Sequence, residues 1–316
     1  MQRRNFLKAA LLGGVAGAVS LKGSDLLATE VLAPSSREAT PAEVPDLVAV
    51  MGGSPEQLYA RAIAEMGGMG AFIKKGMKVV VKPNIGWDKT PEMAANTNPQ
   101  LVAAIVKDCL AAGAAEVKVF DHSCDQWEGC YKNSGIAQAV KDAGGIMVDA
   151  HEERSYKEVT VSQAVRMKNP KIHEAIVDCD AWINVPILKN HGGAKFTCCM
   201  KNYMGIVWDR RYLHSHNLQQ CIADAAAYSK HPVLNIVDAY RIMNQNGPKG
   251  KSLNDVQTPK ALFMSKDIVA LDTAALQFFN QYTKLSLQDV QHIGFAQAHH
   301  LGTTNLDSLN IKRIKL

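Results

Sequence analysis

The chain has 316 residues, of which 47% are hydrophobic, and this is enough to bury the core of one large domain or of two smaller ones. Its formal net charge of +5 is small, and Lys and Arg are interspersed with Asp and Glu. The composition therefore gives no reason to expect a nucleic-acid partner.

The first residues have the composition of an export signal. Arg3 and Arg4 precede an apolar, Gly- and Ala-rich stretch over residues 9–21 that is short for a membrane span. The run RRNFLK resembles a twin-arginine signal, so we expect the twin-arginine translocase as a partner during export. The protein would then be periplasmic, with no stable membrane span after cleavage. The expected organisation is a signal over residues 1–33, a linker over 34–45 and a domain over 46–316.

Beyond the linker, short apolar strands alternate with helical patterns. This alternation predicts an α/β fold in which helices cover both faces of a mostly parallel sheet. We expect a single large domain with a Lys- and His-rich insertion, and residues 151–180 are too polar to assign. The predicted strands are 46–51, 77–81, 116–120, 146–149, 181–188, 233–237, 260–264 and 309–315, and the predicted helices are 55–75, 99–112, 135–143, 218–229, 268–282 and 287–298.

Polar side chains follow four of the predicted strands. They are Lys82 and Asn84, Asp121, Lys189 and Asp238. Because parallel strands end at the same edge of a sheet, these residues are expected to line a binding crevice. Lys82 ends an apolar run, so it needs either an anionic ligand or an ion pair with Asp121 or Asp238. A small anionic molecule is the ligand that this pattern predicts.

The stretch after the 181–188 strand combines lysines, a histidine, two glycines and adjacent cysteines. Gly192 and Gly193 can take positive φ and approach a ligand closely. His191 can titrate near neutral pH and, with Lys189, is a catalytic candidate. Substrate-binding candidates in the same stretch are Lys201 and Asn202. The alternative is an ordinary turn with solvated lysines and with cysteines packed as small apolar groups.

Histidines and cysteines also suggest a metal site. His214 and His216 would share one face of a strand, and Cys198 or Cys199 nearby could complete a site for zinc, copper or iron. No Cys-x-x-Cys or His-Glu-x-x-His motif is present. An iron–sulfur cluster needs four well-spaced thiolates, which the cysteine spacing does not supply.

The seven cysteines also allow disulfides, because the predicted compartment is oxidising. Their odd number leaves at least one without a partner in the chain. Cys124 and Cys130 could pair across a short loop, whereas a disulfide between adjacent Cys198 and Cys199 would be strained.

Several motifs together resemble the DUF362 family of uncharacterised bacterial and archaeal proteins. They are Lys82-Pro83-Asn84, Thr97-x-Pro99, Ile187-Leu188-Lys189-Asn190-His191, Met200-Lys201-Asn202-Tyr203-Met204-Gly205, Asn246-Gly247-Pro248-Lys249-Gly250 and Asp267-x-x-Ala270-x-Asp272. The resemblance covers roughly residues 46–316. It implies an α/β fold and an association with iron–sulfur proteins, and hence a redox partner. The family has no settled activity.

The run His191-Gly192-Gly193-Ala194-Lys195 also looks like the Gly-Gly-x-Lys loop of nickel-pincer lactate racemases. In that family the lysine tethers the cofactor, and histidines exchange a proton and a hydride with the substrate. The resemblance implies that Lys195 is a catalytic residue carrying a covalently tethered organometallic cofactor. In this chain Thr197-Cys198-Cys199 replaces the proline and glycine that follow the lysine.

These observations predict an exported enzyme, an oxidoreductase or isomerase, that depends on a metal or redox cofactor and acts on a small anionic substrate. Lys82, Lys189 and Lys195 would supply positive charge, and Asp121 and Asp238 would orient groups or bind metal. The alternative is a non-catalytic periplasmic protein that binds an anion or a metal.

Overall fold

The central strands carry apolar side chains on both faces. In strand β2 (Lys78–Pro83), Val79 and Val81 belong to one hydrophobic core, whereas Val80 belongs to a second. Because successive side chains of a strand point to opposite faces, the two cores lie on the two sides of one sheet. The computed structural model describes residues 43–316, and residues 44–316 form one compact unit. The predicted signal and most of the predicted linker lie outside the described residues.

Thirteen strands occur in the described part of the chain, and eleven of them form the central sheet. Along the sheet the order is β13-β1-β12-β10-β7-β2-β3-β4; β8 pairs with β10 and β9, and β11 with β10. Strand β12 is antiparallel to both neighbours, while β10, β7, β2, β3 and β4 are parallel. The strands are β1 (Leu47–Met51), β2, β3 (Glu116–Val119), β4 (Ile146–Met147), β5 (Tyr156–Glu158), β6 (Lys171–His173), β7 (Ala181–Val185), β8 (Ile187–His191), β9 (Lys195–Thr197), β10 (Leu234–Met243), β11 (Val256–Gln257), β12 (Ala261–Ser265) and β13 (Ile311–Lys315).

Ten α-helices between residues 43 and 316 cover the sheet. Those from α1 to α4 contribute to the core that contains Val79, and α5 to α10 contribute to the core that contains Val80. The helices are α1 (Pro55–Glu65), α2 (Pro99–Ala111), α3 (Trp127–Asn133), α4 (Ile136–Asp142), α5 (Glu174–Asp178), α6 (Cys199–Asn202), α7 (Arg210–Ser215), α8 (Leu218–Ala226), α9 (Ile268–Phe279) and α10 (Gln291–Ala298). The predicted α/β fold, a mostly parallel sheet between helices, is confirmed.

Helix starts follow their capping residues. Asn98 accepts hydrogen bonds from the amides of Gln100 and Leu101 at the start of α2, and Pro99 fills the first helical position. Ser54 and Gln57 form a capping box at the start of α1. These caps explain why the predicted starts of α1 and α2 agree with the structure.

The Lys- and His-rich stretch differs from the sequence prediction. The expected strand over residues 181–188 stops at Val185, because Pro186 has no N–H to donate to a ladder. The chain then continues as β8, so Lys189 and His191 lie on a strand of the main sheet rather than in an inserted loop. Strand β9 turns back antiparallel against β8.

Two local expectations in this region are wrong. Gly192 and Gly193 do not have positive φ; the left-handed residue of this turn is Lys195, at φ 65°. His214 lies in helix α7 and His216 directly follows it, so the two are not neighbours on one face of a strand. The side chain of Asp209 caps α7 by accepting a hydrogen bond from the amide of Tyr212, and this bond stabilises the helix.

Within residues 43–316, none of the helices combines the length and the hydropathy needed to cross a membrane.

Candidate functional site

A cavity of about 1410 Å³ opens at the carboxyl ends of the parallel strands. Asn84 after β2, Asp121 after β3 and Lys189 on β8 all line it. The segment from α6 to α7 forms the opposite wall. The polar ends of three predicted strands therefore meet, as their parallel arrangement requires.

Lys82 and Asp121 form a buried ion pair beneath this cavity. The Lys82 Nζ lies 2.8 Å from Asp121 Oδ1, and both side chains are almost completely buried. This contact pairs the charges of the two groups, and Oδ1 has no other polar partner among the described residues. The ammonium also donates to Asn202 O at 2.6 Å and to Asn202 Oδ1 at 2.8 Å. Burial lowers the pKa of Lys82, and the charge of Asp121 opposes the shift.

This pair has a structural role. Asp121 Oδ2 accepts a hydrogen bond from the amide of Ile85 at 2.6 Å, which joins the ends of β2 and β3. Asn202 donates to the carbonyl of Lys82 at 3.1 Å and to Asn184 Oδ1 at 2.9 Å. Of the two alternatives for Lys82, the structure shows the ion pair with Asp121, and Lys82 does not line the cavity.

Gly205 leaves room for the pair. A Cβ atom at this position would lie 1.7 Å from Asp121 Oδ1 and 2.5 Å from Lys82 Nζ. Both distances are far below van der Waals contact. Only glycine can therefore occupy residue 205 while the ion pair keeps its geometry.

Lys189 is buried without a counter-charge. Its Nζ donates to Asn84 Oδ1 at 3.1 Å and to the carbonyl oxygen of Ala95, and it lies 6.0 Å from the ring centre of Trp87. It forms no ion pair with a carboxylate of the described residues. Burial lowers the pKa of Lys189 to about 7. In the neutral amine both hydrogens are held by these oxygens, and the lone pair is left for another partner.

Lys201 also lacks a counter-charge. It is half-buried, lines the cavity and forms no ion pair with any described carboxylate. Burial lowers the pKa of Lys201 to about 8, and the neighbouring Arg210 and Lys82 add to this shift. A group with this pKa is largely protonated at neutral pH and can bind an anion.

His191 lines the cavity as a neutral hydrogen-bond donor. Its Nδ1 accepts hydrogen bonds from the amides of Gly193 and Ala194, both at 3.1 Å. The ring proton must then be on Nε2. Burial, followed by the charges of Lys201 and Lys189, lowers the pKa of His191 to about 2. The expectation that His191 titrates near neutral pH is therefore wrong.

Besides Lys82, two of the predicted catalytic and substrate-binding residues lie outside the cavity lining. Lys195 is exposed, and Asp238 is buried at the carboxyl end of the sheet. Asp238 Oδ2 accepts a hydrogen bond from the amide of Asn98 at 2.7 Å, so it positions the start of α2. Burial raises the pKa of Asp238 to about 6. The position of Lys195 does not fit a tether for a cofactor held in this cavity.

Comparisons with known proteins agree with the motifs. Residues 79–277 match the family described as Domain of unknown function (DUF362). The chain belongs to this family. It is 26% identical over 214 residues to the thylakoid-associated protein sll1697 of Synechocystis sp., a match that covers 66% of this chain and 64% of that protein. The chain thus spans slightly less than two thirds of this curated relative.

One solved structure with a similar fold is the lactate racemase apoprotein from Thermoanaerobacterium thermosaccharolyticum. The two chains are 13% identical, with a TM-score of 0.47, over 76% of this chain and 58% of the other.

The predicted metal ligands of this DUF362 protein are not brought together. Among the described residues, Cys198 and Cys199 come within 4.8 Å of Asp272, and neither His214 nor His216 joins them. His214 lines the cavity, whereas the ring of His216 stacks on that of Tyr212 in α7, at 3.9 Å between ring centres. No four thiols of residues 43–316 form the kind of group that an iron–sulfur cluster requires.

Within the group of Cys198, Cys199 and Asp272, the carboxylate is already engaged by the backbone. Asp272 Oδ1 accepts from the amide of Cys199 at 2.8 Å, and Oδ2 accepts from the amide of Met200 at 3.1 Å. The carboxylate therefore caps helix α6. Burial raises the pKa of Cys198 to about 12 and holds that of Cys199 well above its ordinary value, so both groups are protonated thiols near neutral pH. Their burial agrees with the alternative given from the sequence, in which the cysteines pack as small apolar groups.

Sequence reasoning missed the arginine that closes the cavity of this DUF362 protein. Arg210 donates to His122 O at 2.6 Å and to Ser123 O at 2.7 Å, so it ties helix α7 to the end of β3. The ring of His122 stacks on Trp208 at 5.1 Å between centres. The basic pair Arg210-Arg211 after the capping Asp209 was the available signal.

Proposed function

We propose that this DUF362 protein is an enzyme that binds a small anionic substrate in the cavity and acts on it with the amine of Lys189. The observation that carries the proposal is Lys189 itself: it is buried, it lines the cavity, and its pKa is about 7 without a counter-charge. Perturbed lysines of this kind serve as bases and as nucleophiles toward carbonyl carbon.

The charge of the cavity supports an anionic ligand. Asp121 and Glu153 are already paired, with Lys82 at 2.8 Å and Lys171 at 2.6 Å respectively. Lys201 has no such partner. An anion in the cavity would therefore meet an excess of positive charge. The lining contains seven basic residues, Arg166, Lys168, Lys171, Lys189, Lys201, Arg210 and Arg211, and four acidic ones, Asp121, Glu153, Glu158 and Asp209.

Three side chains of the cavity have separate roles in this reaction. Lys201 binds the negative group of the substrate. The neutral amine of Lys189 takes a proton from the substrate or adds to its carbonyl carbon, and the Nε2–H of His191 donates to a substrate oxygen. No step is assigned to Cys198, Cys199 or Asp272, because they do not line the cavity.

Reductive trapping tests the role of Lys189. The full chain is incubated near neutral pH with pyruvate, a small anionic carbonyl compound, and with cyanoborohydride, and the modified lysine is located by peptide mass. The reaction needs a neutral amine, so we expect Lys189 to be modified at least tenfold faster than the average surface lysine. Inorganic phosphate should slow this reaction by competing for Lys201.

Lys189→Met should abolish the fast adduct, and the matched variant Lys107→Met, at an exposed position of α2, should retain it. Uniform slow labelling of all lysines would overturn the enzymatic role. A raised melting temperature with phosphate in Lys189→Met, without the adduct in the wild type, would favour the non-catalytic anion-binding alternative.

We also propose that the protein is exported by the twin-arginine route to a periplasmic or other extracytoplasmic location. Support comes from Arg3 and Arg4 in the RRNFLK run and from the description of its relative as thylakoid-associated. Replacing both arginines with lysine should leave the full-length chain in the cytoplasmic fraction. Equal export of the variant and the wild type would refute the route.

A further inference from the structure

Cys124 differs from the other cysteines of the described residues. All seven are free thiols, so the disulfide that the sequence allows between Cys124 and Cys130 is not formed. Six of them are buried, whereas Cys124 is exposed and lines the cavity. Its amide donates to Gly86 O at 2.8 Å, which fixes the loop that follows β3.

Positive side chains surround the Cys124 sulfur. Arg210 Nη1 donates to Sγ at 3.1 Å, and the same guanidinium is anchored on the carbonyls of His122 and Ser123. Lys189 and Lys201 lie close enough for the sulfur to affect their pKa values: burial lowers both, and Cys124 opposes the shift. A negatively charged molecule near Sγ would therefore meet the Arg210 guanidinium and the Lys201 ammonium, and also Lys189 whenever its amine is protonated.

A second feature of the same cavity points independently to a ligand. The side chain of Thr197 is 3% exposed, and its Oγ1 has no hydrogen-bond partner among the described residues. Thr197 lines the cavity opposite Lys189 on the β8–β9 hairpin. A buried hydroxyl without a partner is costly, and a polar ligand group in the cavity would remove that cost.

We propose that Cys124 is a nucleophile that reacts with small anionic electrophiles bound in this cavity. The thiol loses its proton to solvent, the sulfur attacks a carbon that carries a leaving group, and a C–S bond forms. The carbon–leaving-group bond breaks, and the leaving group departs with its electron pair. The proposal rests on the proposed anion-binding cavity and not on the amine chemistry of Lys189.

Charge-selective alkylation tests the proposal. The reduced full chain is treated separately with iodoacetate, which is anionic, and with neutral iodoacetamide of nearly the same size, and Cys124 alkylation is followed by peptide mass. In both reactions iodide is the leaving group. We expect the ratio of the iodoacetate rate to the iodoacetamide rate to be about tenfold higher in the folded protein than in urea, because the cations attract the anionic reagent. Salt near 1 M should reduce this ratio by screening.

Variants separate a charge effect from simple exposure. Arg210→Met should lower the ratio severalfold and Arg210→Lys should restore part of it. Arg61→Met, at an exposed position of α1, is the matched control and should leave the ratio unchanged. An equal ratio in the folded and unfolded chain, or faster labelling of another cysteine, would overturn the proposal.

Lys189→Met distinguishes failure of this proposal from failure of the proposed function. In that variant Cys124 should still prefer iodoacetate, although less strongly, while the pyruvate adduct is lost. Loss of charge selectivity in the wild type, with the phosphate-sensitive pyruvate adduct intact, would refute the role of Cys124 alone. Loss of both would refute the anion-binding cavity.

Discussion

Replacing Lys189 with Met should change how the stability of the protein depends on pH. The amine is buried and has a pKa of about 7, below the ordinary value of 10.5. Between these two values the unfolded chain binds the proton and the folded chain does not. The free energy of unfolding of the wild type therefore gains a contribution from Lys189 that rises with pH across this window.

The size of this contribution follows from the shift. Each pKa unit corresponds to about 1.4 kcal/mol, so the full window is worth about 5 kcal/mol. Below pH 7 both states are protonated, and the cost of burying the charge is constant. Lys189→Met lacks this titration. It also leaves the oxygens of Asn84 and Ala95 without their donor, which costs about 1–3 kcal/mol each at every pH.

Urea unfolding near pH 7.5 and near pH 9.5 measures the effect. The free energy of unfolding of the wild type minus that of Lys189→Met should be about 2 kcal/mol larger at the higher pH. Lys107→Met, which removes an exposed lysine, should show the same difference from the wild type at both values. A pH-independent difference for Lys189→Met would refute the argument that burial lowers the pKa of this amine.

Three further outcomes follow from the site. Gly205→Ala should destabilise the protein by about 3 kcal/mol or more in urea unfolding, because its Cβ would meet the Lys82–Asp121 pair. Gly294→Ala, where no atom lies within 4 Å of the added Cβ, should be neutral or slightly stabilising, and equal losses for the two variants would contradict the packing argument. Asp121→Asn should cost about 3–5 kcal/mol by leaving the Lys82 ammonium without its counter-charge, and unchanged urea stability would count against a buried ion pair. The His191 ring should show constant NMR shifts from about pH 5 to pH 8, and a midpoint in that range would show that burial does not hold it neutral.

The fold was predictable because its main signals are local. The apolar runs, Asn98 before Pro99 and the regular alternation of strands and helices are all visible in the sequence. The polar strand ends then predicted the position of the crevice. The sequence prediction ran one strand through Pro186 and so missed that this residue, which has no N–H to donate, divides the run into two strands.

The chemistry of individual residues was less accessible, because it depends on contacts distant in sequence. Lys82 finds its counter-charge 39 positions later, in Asp121, and Asp272 caps the helix that begins at Cys199. Burial and the charges of Lys201 and Lys189 lower the pKa of His191 below the expected range. Arg210 reaches Cys124 only after β3 and α7 pack together.

The placement of Lys189 on a strand has a consequence for how binding takes place. Lys189 is paired with Thr197 of β9 on one side and with Met243 of β10 on the other, so its backbone is held by a strand on each side. Binding of a ligand at this amine therefore costs little conformational entropy, because the backbone that carries Lys189 is ordered beforehand. The segment over residues 208–215, by contrast, lines the cavity from outside the sheet. We therefore expect differences in ligand preference among relatives to arise in that segment, while the amine stays where the sheet holds it.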